Sequence, residues 1–275
     1  MKKLLLQLLF FLTITGIIVF IMGECINSFI QITHINILNN ADFNTSIIIQ
    51  RSQTPRKTRT LILGDSTADA LYGKSNDSIV YSLAGSVALT AVGQYCLMAK
   101  YFEVCGKNQL PKEVIVILNP TSWTLEFSGE GIQYALFAKN IANDTYLPFM
   151  EEKAKHIVHS LPFHYLLSQK WYQLSPYVPQ YTAKIQDKPC LQFLYIERMY
   201  LLCTQHNIKF KVLCAPIRES KKNEFLQKCN IIRYKHLPYF DEYFQSIRTM
   251  PDSCFADLLH LKPQYIPKDY FNLYK

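Results

Sequence analysis

The N-terminal part of the chain is one uninterrupted hydrophobic segment. Residues 4–23 contain no charged side chain, and about 20 apolar residues in a row can cross a bilayer as a helix. Lys2 and Lys3 precede this segment and Glu24 follows it. Because positive charge stays on the cytoplasmic side of a membrane, we expect a single-pass protein with a cytoplasmic N-terminus. Residues 24–275 would then lie outside the cytoplasm, in a periplasm or at the cell surface.

A cleaved signal peptide and a lipoprotein signal are the alternatives to a retained anchor. The apolar region of a signal peptide usually spans about 7–15 residues and ends in a small-x-small cleavage site. The segment here is longer, "FIMGECIN" lacks such a site, and Glu24 stands where a lipoprotein signal ending at Cys25 would have a small residue. We therefore favour an anchor at 1–23, a stem at 24–58 and a domain at 59–275.

Within the domain, short apolar runs alternate with longer segments of helical spacing. Short runs that end in Gly or Pro are typical of buried parallel strands. The predicted strands are 60–64, 78–85, 113–120 and 208–216, and the predicted helices are 86–106 and 190–207. This alternation predicts an α/β fold, a flavodoxin-like three-layer α/β/α sandwich with a mainly parallel sheet. An insertion at about 124–188, helical over about 148–172, separates the third and fourth strands.

The composition is that of a globular protein with a mild excess of positive charge. Of the 275 residues, 49% are hydrophobic and 18% are charged, which argues against a disordered chain. The formal net charge is +8, and the densest basic run, at 51–59, reads more simply as a solvated linker than as an anion site. We expect no nucleic-acid partner, because nothing beyond this mild basicity supports one.

The spacing of cysteines and histidines indicates whether a chain can bind metals or form disulfides, because these side chains are common metal ligands and cysteines form cross-links. None of the eight cysteines forms a CxxC pair, which argues against zinc-ribbon and thioredoxin-like sites. Cys96 and Cys214 lie in apolar segments and are predicted to be buried thiols, while one or two disulfides stay possible outside the cytoplasm. His156, His159 and His164 lack an acidic or cysteine partner at fitting spacing, so we expect a solvated helix face, no metal and no other cofactor.

A serine stands where the first predicted strand ends. Ser66 follows Gly64-Asp65, and in open α/β sheets ligands bind just past the carboxyl ends of the strands. A serine hydroxyl needs a base, usually a histidine held by a carboxylate. Asp257 and His260 are three residues apart, so their side chains can share one face of a turn. We predict that this distant pair reaches Ser66.

These residues together resemble the blocks of the SGNH, or GDSL-type, hydrolase superfamily. The resemblance covers about 60–262 without the insertion, and rests on Gly64-Asp65-Ser66 after the first strand, Gly85 after the second, Asn119 after the third, and Asp257-x-x-His260 near the C-terminus. It implies that Ser66 is the nucleophile, His260 the base and Asp257 the residue that orients it. It also implies an oxyanion hole made by the N–H groups of Ser66 and Gly85 and the Asn119 amide.

The topology and the segment "ILNPTSW" are similar to a membrane-anchored branch of that superfamily, which includes alginate O-acetylation factors and the D-alanyl-transfer protein DltD. The resemblance implies a serine esterase or O-acyltransferase, with acetyl as the default acyl group. Its partners would be an acylated cell-envelope or exported glycan or another ester substrate, the membrane through the N-terminal helix, and a membrane-embedded acyl donor.

Three other interpretations stay open. Pro120 stands where the third block often has Asp, which favours a binding or assembly protein of a polysaccharide-modification system that kept the fold without the chemistry. The Gly64 turn before a helix could also hold a phosphate, although no Walker-type lysine follows. Trp123 and Trp171 could stack on sugar rings, but we favour packing in the core or in an interface.

Overall fold

The computed structural model describes residues 2–33, 40–85, 90–106, 109–124, 145–160, 191–228 and 237–266. The helices in these ranges are α1 (Lys2–Thr33), α2 (Asn40–Gln53), α3 (Ser66–Tyr72), α4 (Thr90–Cys105), α5 (Glu152–Ser160), α6 (Leu191–Gln205), α7 (Lys222–Lys228) and α8 (Phe240–Gln245). The strands are β1 (Thr60–Gly64), β2 (Val80–Ser82), β3 (Glu113–Leu118), β4 (Lys209–Cys214), β5 (Ile217–Arg218) and β6 (Thr249–Met250). Short 3₁₀ helices lie at Pro120–Thr124, Leu147–Phe149, Glu219–Lys221, Asp252–Cys254 and Pro263–Tyr265.

Helix α1 carries the hydrophobic segment. The stretch Lys2–Met22 has a mean hydropathy of 2.7 and none of it is buried against the rest of the protein. Its leucine, isoleucine and phenylalanine side chains are exposed, which is costly in water and favourable in lipid. An N-terminal helix long and apolar enough to span a membrane is therefore present, as predicted.

Four parallel strands form the main sheet in the order β2-β1-β3-β4. All five residues of β1 are buried, because the strand lies in the interior of the sheet with apolar side chains on both faces. Helices α4 and α6 lie within the predicted spans, and Gly106 and Asn207 follow them with φ of +63° and +57°. The predicted α/β class with a mainly parallel sheet is confirmed. Strands β5 and β6 form a separate parallel pair.

Alternate residues of each strand enter two different cores. Leu61 and Leu63 of β1 belong to the larger core with residues of α4 and α6, whereas Ile62 belongs to a smaller core with Ala68 and Tyr72 of α3. Successive side chains of a strand point to opposite faces, so the sheet is covered on both sides. Because its four strands are parallel, their carboxyl ends lie along one rim of this sheet.

Trp123 lies in the larger core. Only 1% of its surface is exposed, and its ring centroid lies 5.1 Å from that of Phe193 and 5.0 Å from that of Phe240. The preferred interpretation of Trp123 as a packing residue is confirmed. Trp171 lies outside the described residues.

The structure moves the boundary between the predicted stem and the domain. Helix α2 falls within the stem predicted at 24–58, but it packs on the domain, with Ile48 only 3% exposed. The Arg51 guanidinium donates to the carbonyls of Gly73 (2.7 Å) and Ser82 (3.0 Å). A solvated linker would make no such bonds, so α2 belongs to the domain. Sequence periodicity was too weak to show this: of residues 47–53 of α2, whose side chains the structure describes, Ile48 and Ser52 are buried.

The insertion contributes a further helix to the fold. Helix α5 falls within the predicted helical span 148–172, of which 161–172 lies outside the described residues. Ahead of it, Tyr146 is fully buried, and its hydroxyl lies 2.6 Å from Ser52 Oγ of α2. The insertion therefore helps to hold α2 against the domain.

The cysteine side chains that the structure describes are buried thiols: Cys96, Cys105, Cys203, Cys214 and Cys254. The prediction that Cys96 and Cys214 are buried is therefore confirmed. Burial raises the pKa of the Cys203 thiol to about 12 and raises that of Cys96 well above its usual range. The thiols of Cys203 and Cys96 are therefore neutral and unreactive at ordinary pH. The remaining cysteines, 25, 190 and 229, lie outside the side chains described, so the predicted disulfides stay untested.

Candidate active site

Gly64, at the end of β1, places Ser66 at the rim of the sheet in a backbone conformation that favours glycine. Gly64 has φ of +146°, a conformation that L side chains rarely adopt. A Cβ on Gly64 would lie 2.1 Å from the Ile117 carbonyl oxygen and 2.5 Å from Ala68 Cβ. The lack of a side chain lets β1 approach β3 and α3 closely. The chain then turns through Asp65 into α3, which begins at Ser66.

Ser66, His260 and Asp257 form a connected chain of hydrogen bonds. His260 Nε2 lies 2.9 Å from Ser66 Oγ, although 194 residues separate the two. On its other side, His260 Nδ1 lies 3.0 Å and 2.9 Å from the two carboxylate oxygens of Asp257. If Nδ1 carries the proton that bonds to the carboxylate, Nε2 is an acceptor for the serine proton. This is the arrangement of a nucleophile, a base and an orienting acid.

The loop that carries His260 is closed on itself. The carboxylate of Asp257 accepts the backbone N–H groups of Leu259 and His260, each at 2.8 Å. The Ala256 N–H donates to the His260 carbonyl at 2.8 Å, and Phe255 and Leu261 pair as an antiparallel bridge. These bonds fix the imidazole relative to the carboxylate within one short turn, as the spacing of three residues predicts.

Asp257 stays ionised to lower pH than a free aspartate. Partial burial raises its pKa, but the N–H groups of His260 and Leu259 and the imidazole of His260 outweigh that effect and hold the pKa below its usual value. A charged carboxylate suits this position, because it stabilises the positive charge that forms when His260 takes up a proton.

Asp65 is the buried hub that joins the nucleophile turn to the end of β3. Only 2% of its surface is exposed. Its Oδ1 accepts the Thr67 N–H at 2.8 Å and the Thr67 hydroxyl, and its Oδ2 accepts the Asn119 N–H at 2.7 Å and the Ser122 hydroxyl. Each carboxylate oxygen thus holds one backbone N–H and one hydroxyl, so Asp65 fixes Asn119 relative to Ser66.

The sequence motifs do not single out Asp65, although one local signal points to it. Aspartate is among the preferred N-cap residues of helices, and Asp65 stands directly before a predicted helix. That signal accounts for the bond to Thr67. It says nothing of the bonds to Asn119 and Ser122, which lie 54 and 57 residues away along the chain.

The side-chain amide of Asn119 is held with its donor group free. Its Oδ1 accepts the N–H and the hydroxyl of Thr121, at 3.0 Å and 2.9 Å. Its Nδ2 is buried and has no hydrogen-bond partner in the described part of the chain. A buried N–H group without an acceptor costs about 1–3 kcal/mol, so such a group is a candidate donor to a ligand.

Gly85 differs from what the resemblance implied. Its N–H donates to the Gly64 carbonyl at 3.2 Å, which continues the pairing of β2 with β1 beyond the end of β2. The group is therefore engaged in the sheet and is not free to donate to an oxyanion in this structure. Residues 86–89, whose N–H groups come next along the chain, lie outside the described residues.

An open groove of about 640 Å³ lies beside α3. Helix α2 supplies Ile47, Ile48 and Arg51 to its wall, α3 supplies Asp69, and the segment after His260 supplies Pro263 and Ile266. Burial raises the pKa of Asp69, and the charges of Arg51 and His260 partly offset that effect. Neither Ser66 nor His260 is among the residues that line this groove.

The described residues show no group of three or more His, Cys, Asp or Glu side chains placed to hold a metal ion. His156 is exposed on α5, while the side chains of His159 and His164 lie outside what the structure describes. The predicted solvated helix face of His156, His159 and His164 is therefore tested only at His156.

Comparison with known proteins gave no match to a family model, to a curated protein or to a solved structure. The resemblance to the SGNH superfamily accordingly stays a prediction from short motifs. The functional conclusion depends on the geometry of Ser66, His260 and Asp257.

Proposed function

We propose that this chain is a membrane-anchored, extracytoplasmic serine esterase or O-acyltransferase of the SGNH type. The observation that carries the proposal is the hydrogen-bonded chain from Ser66 Oγ through the imidazole of His260 to Asp257, with 2.9 Å between Ser66 Oγ and His260 Nε2. A pair of serine and histidine at this distance, with a carboxylate behind the histidine, is the arrangement that activates a hydroxyl as a nucleophile.

The reaction begins when Ser66 Oγ attacks the carbonyl carbon of an acyl ester. His260 Nε2 takes the serine proton, and Asp257 stabilises the imidazolium that results. The tetrahedral intermediate then collapses, the alcohol leaves with the proton from His260, and the acyl group stays on Ser66. A second oxygen nucleophile, activated by His260 in the same way, removes the acyl group. Water makes the protein an esterase, and a glycan hydroxyl makes it a transferase.

Two donors of the oxyanion hole follow from the described residues. The Ser66 N–H lies at the first position of α3, where helical N–H groups have no partner within the helix. The Nδ2 group of Asn119 is buried and free. The loss of one such donor typically costs about 3 kcal/mol of barrier. The Gly85 N–H is engaged in the sheet and does not serve as a third donor.

The strand order supports the flavodoxin-like part of the proposal. The order β2-β1-β3-β4 equals the first four positions of the flavodoxin-like order 2-1-3-4-5. Strand β5 follows β4 after two residues and pairs with β6 in parallel. In that fold a ligand lies at the carboxyl ends of the strands, where Ser66 and Asn119 stand.

The proposed substrate class follows from location. Helix α1 is long and apolar enough to span a membrane, and Lys2 and Lys3 precede its apolar stretch, so the domain would face the cell exterior. We propose an acylated cell-envelope or exported glycan as substrate, acetyl as the acyl group and a membrane-embedded partner as acyl donor.

Covalent labelling of the serine tests the proposal. A fluorophosphonate forms a bond to an activated serine, so we expect the detergent-solubilised full chain to be labelled at Ser66. The variant Ser66→Ala should not be labelled, and His260→Gln should be labelled far more slowly. A matched control is Ser75→Ala, which removes another serine close to α3 and should leave the labelling unchanged. Failure of the folded wild-type protein to react would refute the proposal.

A binding or assembly protein is the second candidate function. The engagement of the Gly85 N–H with Gly64 favours it, because one oxyanion donor implied by the resemblance is not free. In that case the protein would bind a glycan or a partner without forming an acyl intermediate. Unlabelled Ser66 in a folded protein that still binds acylated glycan would select this function.

A further inference from the structure

An arginine on β5 holds the loop that carries the candidate catalytic acid. Arg218 lies on β5, which pairs with β6 through Ile217 and Thr249. Its Nε and Nη2 both donate to the backbone carbonyl of Asp257, at 3.0 Å and 2.6 Å. The planar guanidinium thus holds the same residue whose carboxylate faces His260.

Two further contacts orient the guanidinium. Its carbon lies 5.5 Å from the centroid of the Phe255 ring, within the range of a cation–π contact. Its Nη1 lies 3.7 Å from Asp252 Oδ2, and Asp252 in turn accepts the Ser220 hydroxyl at 2.5 Å. The side chain of Arg218 is only 23% exposed. The donors that point at Asp257 are therefore held in one direction.

The loop needs such an anchor because little packing surrounds its tip. The side chain of Asp257 is 59% exposed and that of His260 is 31% exposed. The bonds within the loop fix the carboxylate relative to the imidazole, but they do not fix either group relative to Ser66. In the described part of the chain, the bond between His260 and Ser66 is the other hydrogen bond that joins this tip to the rest of the domain.

We infer that Arg218 is a positioning residue for the candidate triad. By holding the carbonyl of Asp257, Arg218 sets the distance from His260 to Ser66. The inference rests on the proposed function and adds a residue that neither the motifs nor the resemblance indicated. A misplacement of about 1 Å in an active site can lower the rate about a hundredfold. Loss of Arg218 should therefore lower kcat and leave substrate binding intact.

The test compares Arg218→Met with two other variants of the full chain in detergent, using a neutral aryl acetate as substrate. Methionine keeps much of the length of the side chain and removes its donors. We expect kcat to fall about 10- to 100-fold with KM unchanged, because the interaction serves the transition state and not binding. Arg218→Lys, which can place one donor on the same carbonyl, should recover part of the loss.

The matched control is Lys262→Met. Lys262 also donates to a backbone carbonyl at the base of this loop, that of Ser253 at 2.7 Å, but the carbonyl belongs to a residue outside the triad. We expect kcat close to that of the wild type. Equal losses in Arg218→Met and Lys262→Met would overturn the inference, since any bond to the loop would then have the same effect. A kcat of Arg218→Met equal to that of the wild type would also overturn it.

A second measurement separates failure of this inference from failure of the proposed function. The imidazole N–H that bonds to Asp257 gives a downfield proton resonance that is visible when it is protected from exchange. We expect this resonance in the wild type, in Lys262→Met and in Arg218→Met, because the bonds within the loop hold the carboxylate on the imidazole without Arg218. If the folded wild type is not labelled by a fluorophosphonate, the proposed function fails. The inference fails if the resonance is lost in Arg218→Met, since Arg218 would then hold the turn itself together instead of setting its distance from Ser66.

Discussion

The substitution Asp65→Asn tests whether the site is built around one buried carboxylate. The change keeps the shape of the side chain and replaces one acceptor oxygen with an NH₂ group. In Asp65, one oxygen holds the Thr67 N–H at 2.8 Å and the other holds the Asn119 N–H at 2.7 Å. Either orientation of the asparagine therefore sets its NH₂ group against a backbone N–H.

The expected cost follows from counting these bonds. The hydroxyls of Thr67 and Ser122 can rotate to new partners, whereas a backbone N–H cannot. One orphaned buried N–H costs about 1–3 kcal/mol, and the bonds that remain lose the strength that a charged acceptor adds, about 1 kcal/mol each. We expect a loss of about 3 kcal/mol in the free energy of unfolding. In a domain of this size that corresponds to a fall in Tm of about 6–12 °C.

Thermal unfolding of the full chain in detergent, followed by near-ultraviolet circular dichroism, measures the effect. The matched control is Asp77→Asn. Asp77 is exposed, and a single oxygen accepts both of its N–H bonds, from Ile79 at 2.7 Å and from Val80 at 2.8 Å. An asparagine oxygen can accept the same two bonds, so the control should lie within about 0.5 kcal/mol of the wild type. If Asp65→Asn unfolds at the same temperature as Asp77→Asn, Asp65 is not the hub described here.

Two further predictions concern the same site. Gly64→Ala should unfold at a much lower temperature than Gly106→Ala. Both glycines have positive φ, but a Cβ at Gly64 would lie 2.1 Å from a backbone oxygen, whereas a Cβ at Gly106 would have nothing within 4 Å. Equal Tm values would contradict this prediction. Esterase activity should fall as the pH is lowered, because a protonated His260 cannot take the proton of Ser66. The pKa of Asp257 is held below its usual value, so its carboxylate is still charged at pH values where a free aspartate has begun to take up a proton. A rate that stays flat down to about pH 4 would remove His260 from the role of base.

The strands and the main helices could be read from the chain because their signals are local. An apolar run such as 60–64 forms a buried strand wherever it lies, and Gly106 ends its helix through its own backbone conformation. The pairing of Asp257 with His260 was also local, since three residues of spacing place both groups on one turn. Helix α2 was missed because the buried residues in its described part, Ile48 and Ser52 within 47–53, are too few to give a clear pattern.

The sequence by itself determined the hydrophobic segment, the order of strands and helices and the residues able to act as nucleophile, base and acid, because periodicity and short spacings are properties of neighbouring residues. The tertiary structure decided which of those residues meet. It brought Ser66 Oγ to 2.9 Å from His260 Nε2 across 194 residues. It also turned the Gly85 N–H onto Gly64, because the direction of a backbone N–H in a sheet depends on the register of the adjacent strand. Arg218 reaches the carbonyl of Asp257 because the fold brings the two residues together. A hydrogen bond depends on where two atoms lie in space, and separation along the chain does not set that distance.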